Sequence, residues 1–125
     1  MYEAAREDFE AMVRRAVDEL PDSFRERIAN LEFAVEDVAR PDDYARVTVP
    51  RGATLLGVYR GVPVTRRGAG YNMMLPDRIV IFQRPIERLA HNEEDLYGRV
   101  RRVVHHEIAH YFGISDERLR ELDAY

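Results

Sequence analysis

The sequence predicts an α+β domain: a small mixed β-sheet packed against helices, with the most informative helix close to the C-terminus. Three observations predict it. Residues 2–20 and 92–112 carry apolar side chains at the three-and-four spacing of helices buried along one face. Between them, short apolar runs have the alternation and length of strands. Glycine and proline separate these runs and mark turns. With 125 residues, one domain spanning 1–125 is expected, large enough for a core without disulfides.

In the first helix, Phe9, Met12, Val13, Ala16, Val17 and Leu20 form the buried face, and Pro21 ends it. A short second helix over residues 23–29, capped by Asp22 or Ser23, turns Phe24 and Ile28 inward. Leu31, Phe33 and Val35 alternate with Glu32, Ala34 and Glu36, which predicts a half-buried strand. Residues 39–53, with Pro41, Pro50, Gly52 and several aspartates, read mainly as loop. Leu55 to Tyr59 predicts a second strand, turned by Arg60-Gly61 into Val62-Pro63-Val64. A glycine-rich loop follows at 66–72, without the spacing of a phosphate-binding motif, and its Arg66-Arg67 pair is expected to be a solvated loop. A turn at 75–77 leads into Arg78 to Phe82, the strongest strand signal. Pro85 suits the first turn of a short helix to about Ala90. Asn92 caps the main helix, which Gly113 ends near Phe112. Ser115 then caps a last helix over 116–122.

Composition narrows the function. The net charge is −4 with acidic and basic residues intermixed, which argues against nucleic acid as a main partner. There is no cysteine, so thiolate metal sites, disulfides and cysteine nucleophiles are excluded. The polar, acidic start is unlike a signal peptide, and no run is long enough for a membrane span. A cytoplasmic location is expected.

The main helix contains His-Glu-Ile-Ala-His at 106–110, an H-E-x-x-H motif. Residues four apart share one helix face, so His106 and His110 can offer two imidazoles to one metal ion. On a helical wheel, Leu96, Val100, Val103, Val104, Ile108 and Tyr111 form an apolar stripe. Glu107 falls inside the stripe, and the two histidines lie along its border. A carboxylate among core residues is costly unless partnered, as expected of a built site. His105 falls on the opposite side and is expected to be exposed and not a ligand. His91 lies about 20 Å of helical rise from His106, too far to join it. A catalytic zinc needs a third protein ligand and an open position. Asp116, just past the Gly113 break, is the leading candidate; Glu117, Glu121 and Asp123 are rivals.

The run from His106 to Asp116, H-E-I-A-H-Y-F-G-I-S-D, resembles the zincin-like metallopeptidases, and specifically a small, mostly bacterial family of compact proteins of about this size. Residues 55–63 and 75–79 look like further landmarks of that family. The H-E-x-x-H-x-x-G-x-x-D pattern is also similar to metzincins in which aspartate replaces the third histidine, as in snapalysin. Carried over by position, the resemblance implies a minimal zincin-like fold with His106, His110 and Asp116 as Zn2+ ligands and Glu107 as general base. No methionine follows Asp116, so the metzincin methionine turn has no downstream counterpart; Met73 and Met74 are expected in core or loop.

Two functions follow. The first is a zinc metallopeptidase that hydrolyses peptide bonds through a zinc-activated water, with Glu107 as base. Its peptide substrate is expected to pair in extended form with an edge strand near residues 78–83. Tyr111, Tyr71 and Tyr125 are candidates for a second oxyanion donor, though each suits packing better. The alternative is a zinc-binding regulatory or scaffold module with the same fold and little or no peptidase activity. The short stretch after Asp116, with no evident second wall for a cleft, favours it.

Overall fold

The computed structural model describes residues 1–47, 52–61 and 77–113. Its elements are α1 (Arg6–Asp18), α2 (Asp22–Arg27), β1 (Glu32–Glu36), α3 (Pro41–Arg46), β2 (Gly57–Arg60), β3 (Arg78–Phe82), α4 (Gln83–Leu89) and α5 (Glu93–Tyr111). The sheet is mixed, with order β1-β3-β2. β1 runs parallel to β3, pairing Phe33 with Ile79 and Val35 with Ile81; β2 runs antiparallel to it, pairing Gly57 with Ile81 and Tyr59 with Ile79. The α+β class and mixed sheet expected from the sequence are therefore present.

β3 is buried on both faces, which is why its sequence reads as one continuous apolar run. Ile79 and Ile81 join the larger core with Phe9, Val13 and Ala16 of α1 and Leu96, Val100, Val104 and Ile108 of α5. Val80 and Phe82 point to the other face and pack with Leu55 and Val58, covered by Ala34, Ala39 and Val47. Burying a side chain such as Ile81 stabilises the fold by roughly 1.5–3 kcal/mol.

Two expectations are corrected here. Residues 41–46 form α3 rather than loop. Proline breaks a helix interior, but it is well suited to the first turn, where its missing N–H costs nothing, and Pro41 stands there. Asp43 then closes the turn, its carboxylate accepting from the Arg40 N–H at 2.9 Å. The second correction concerns the substrate strand. Arg78–Phe82 lies between β1 and β2, so both of its backbone edges are taken and it cannot pair with an added peptide. The expected strand at 62–64, the glycine-rich loop and the last helix lie outside the described residues.

A partly buried ion cluster fastens β2 to its neighbours. Arg60 grips both oxygens of Asp43, with Nε at 2.9 Å and Nη2 at 2.8 Å, and both oxygens of Glu36 at 2.9 and 3.1 Å. The Asp43 side chain is only 3% exposed. Hydrogen bonds from Arg60 are the main reason that both carboxyls are held below their ordinary values of 4.5 for Glu36 and 3.8 for Asp43. Depressed carboxyl pKa values add stability that is complete above the unfolded-state pKa and is lost as pH falls through the folded one. Arg60→Met is expected to cost about 3 kcal/mol at pH 7, because it leaves Asp43 charged and buried. It is also expected to flatten the loss of stability below pH about 5. Urea unfolding of both proteins between neutral and acidic pH measures the two effects.

Candidate metal centre

The site rests on α5, and the sequence sets both ends of that helix. Asn92 is extended, and its side-chain oxygen accepts from the Asp95 N–H at 2.8 Å. Glu93, Glu94 and Asp95 place negative charge at the positive helix end. Asp95 also accepts from the His91 N–H, the largest cause of its lowered pKa. At the other end Gly113 takes φ +80°, and its N–H returns to the His110 carbonyl at 2.9 Å.

Between these ends the predicted stripe is the buried face: Leu96, Val100, Val104, Ile108 and Tyr111 are buried, and Val103 packs against them. Glu107 is buried with them, its residue 9% exposed. His106 and His110 lie at the border, with ring centroids 4.3 Å apart and planes at 69°. His110 Nδ1 is 3.9 Å from Glu107 Oε2, and the His110 side chain is 39% exposed. One potential ligand atom from each of His106, Glu107 and His110 falls within 4.8 Å of the others. Tetrahedral zinc with bonds of about 2.0–2.1 Å keeps its donors about 3.4 Å apart. The two imidazoles can therefore close on one ion with small side-chain rotations, with the Glu107 carboxylate beside them. Hard oxygen and borderline nitrogen donors also suit zinc chemically. This is the only such group among the described residues.

Asp116 lies outside the described residues, as do Glu117, Glu121, Asp123, Tyr71, Tyr125, Met73, Met74, Arg66 and Arg67. Tyr111 packs rather than opening toward solvent, with its ring 5.4 Å from Tyr59 and 5.3 Å from Phe112. His91 is exposed and apart from the group.

His105 departs from expectation. It is half-buried against α1, with Nε2 2.8 Å from the Ala16 carbonyl. A carbonyl only accepts, so Nε2 carries the hydrogen. Ala16 is in the last turn of α1, where carbonyls lack helical partners, so His105 caps that helix from outside. Burial pushes its pKa below the usual histidine range, against the opposing effect of the Ala16 bond. A helical wheel with one contact face misses this, because α5 also packs on α1 through Tyr97, Arg101 and His105. Gly57 is a further contact that the motif-centred reading of the sequence leaves out. It faces Glu107 and Val103 across the β2–α5 interface. Its signal in the sequence is a glycine within a strand, which marks close backbone approach.

These features place the chain in a known class. Residues 28–125 match the zincin-like metallopeptidases, and the protein belongs to that family. The family implies a metal, usually zinc. A conserved hypothetical protein from Thermus thermophilus shares the fold, with a TM-score of 0.58 and 23% identity over 87% of this chain and 94% of that one. No curated protein sequence matches the chain. Among the described residues, no helix is long and apolar enough to cross a membrane.

His105→Ala is expected to lower unfolding stability by about 1 kcal/mol, the net worth of the lost hydrogen bond. His91→Ala, at an exposed position, is expected to stay within about 0.5 kcal/mol of the parent. Chemical denaturation of the three proteins at neutral pH makes the comparison.

Proposed function

We propose that the protein is a one-domain zinc metallopeptidase in which His106, His110 and Asp116 hold the metal and Glu107 is the general base. The observation that carries this reading is a buried carboxylate grouped with two imidazoles on one helix, with His110 open to solvent. When bound, zinc would supply Lewis-acid polarisation of a peptide carbonyl and lower the pKa of water. The rest falls to the chain's own groups. Burial limits competing water at Glu107, and its Oε2 lies 3.9 Å from His110 Nδ1. Glu107 accepts the proton of the attacking water and returns it to the leaving amine. The substrate is an extended peptide or protein segment. With β3 internal to the sheet, the strand suited to pair with it is β2, which packs directly against α5. No nucleic acid or membrane enters this reading, and the proposed setting is the cytoplasm.

Wild type and Glu107→Gln are expected to bind equal zinc, while the variant loses at least about 100-fold in turnover on a peptide library. His106→Ala and His110→Ala are expected to lose zinc. Asp116→Ala should weaken zinc binding strongly, whereas Glu117→Ala, Glu121→Ala and Asp123→Ala should leave it unchanged. Metal analysis after dialysis and a peptide-cleavage assay measure these outcomes. Zinc bound with equal turnover in wild type and Glu107→Gln would remove Glu107 from the mechanism. Zinc bound with no turnover in either would favour a zinc-holding regulatory or scaffold module.

A further inference from the structure

We propose that Gly57 is a positioning residue for Glu107: the absent side chain at this place in β2 lets the Glu107 stem lie against the strand. The proposal rests on reading Glu107 as the general base. A Cβ added at Gly57 would lie 3.0 Å from Val103 Cγ1, 3.2 Å from Glu107 Cγ and 3.3 Å from the Val80 carbonyl oxygen. All three distances are tighter than ordinary van der Waals contact, so something must give by a few tenths of an ångström. Backbone conformation does not explain the glycine. Gly52, Gly61 and Gly113 take positive φ, whereas Gly57 does not. Space is what Gly57 provides.

The direction in which the structure yields follows from what holds each neighbour. Val80 is in the central strand, paired on both sides, so its carbonyl is fixed. Gly57 is itself paired with Ile81, and the Phe82 N–H bonds the preceding Leu56 carbonyl at 2.9 Å. The strand cannot recoil from α5. The side chains of Val103 and Glu107 must therefore move, and the three nearest neighbours of the added Cβ include neither imidazole. The contact acts on the carboxylate stem and not on the histidines. A base moved by a fraction of an ångström loses rate while the metal-holding groups stay in place.

The test compares full-length wild type, Gly57→Ala, Glu107→Ala and the double variant. Gly57→Ala is expected to bind as much zinc as wild type, with kcat lower by about tenfold and KM unchanged. Its thermal midpoint should fall, and that fall should shrink by at least half in the Glu107→Ala background, where Cγ is gone and the added methyl has room. An equal fall in both backgrounds overturns the proposal, because Gly57 and Glu107 are then uncoupled. Coupling with an unchanged kcat in an active enzyme also overturns it, leaving Gly57 a packing position. A wild type that binds zinc without turnover defeats the base reading itself, and the midpoint cycle then decides the positioning contact alone. If Gly57→Ala does not fold, the same comparisons are made in a Val103→Ala background, which removes the closest contact.

Discussion

A carboxylate lies inside the packing between a helix and a sheet, and the rest of the structure is arranged to make that tolerable. Placing Glu107 among Val103, Val104, Ile108 and Tyr111 costs free energy unless the group has partners. The apolar stripe of α5 offsets the cost by burying large side chains on both sides of it along the helix. The same stripe fixes the rotation of the helix. Once Val100, Val104 and Ile108 are seated, Glu107 points to β2, and His106 and His110 fall at the rim. The core thus sets where these three side chains lie.

Strand and helix fit because their repeats nearly agree. Two strand residues advance about 6.6 Å and four helical residues about 6 Å. Gly57 and Tyr59 on β2 can therefore meet Glu107 and Tyr111 on α5 in step. Beside its apolar packing on α1, α5 also meets that helix through polar contacts. Arg101 binds Glu19 at 2.6 Å, and Arg15 lies 4.0 Å over the Tyr97 ring. Burial, with the nearby Glu19 carboxylate, pushes the pKa of the Tyr97 hydroxyl up to about 12. His105 completes this row by capping α1. The helix that carries the site is clamped by an apolar face and a polar one.

Much of this is legible in the residues. The periodicity of α1 and α5, the Asn92 cap, the Gly113 stop and the unbroken apolar run of β3 each report a local preference that the fold keeps. The grouping of His106, Glu107 and His110 is legible for the same reason, since helix geometry alone brings them together. What escapes a sequence reading depends on distant partners. Pro41 looks the same locally whether it breaks a loop or opens a helix; Asp43 in the first turn of α3 is held by Arg60 from β2. His105 reads as exposed because its partner is the end of a helix far away in sequence. The place of β3 inside the sheet follows from pairing order, which hydrophobic pattern does not encode.

The Arg60 cluster and the site share one strand, β2. Gly57 and Tyr59 face α5, while Val58 and Arg60 face the opposite side, where Val58 joins the smaller core and Arg60 grips α3 and β1. β2 is a short strand of four residues, and its ladder to β3 alone would leave it free to bend. Three charged groups at its far end remove that freedom. A stiff β2 is what the proposed contact between Gly57 and Glu107 requires, since a compliant strand would move aside and leave the carboxylate where it was. The ion cluster and the candidate metal centre thus lie on opposite faces of one strand, three residues apart along the backbone from Gly57 to Arg60.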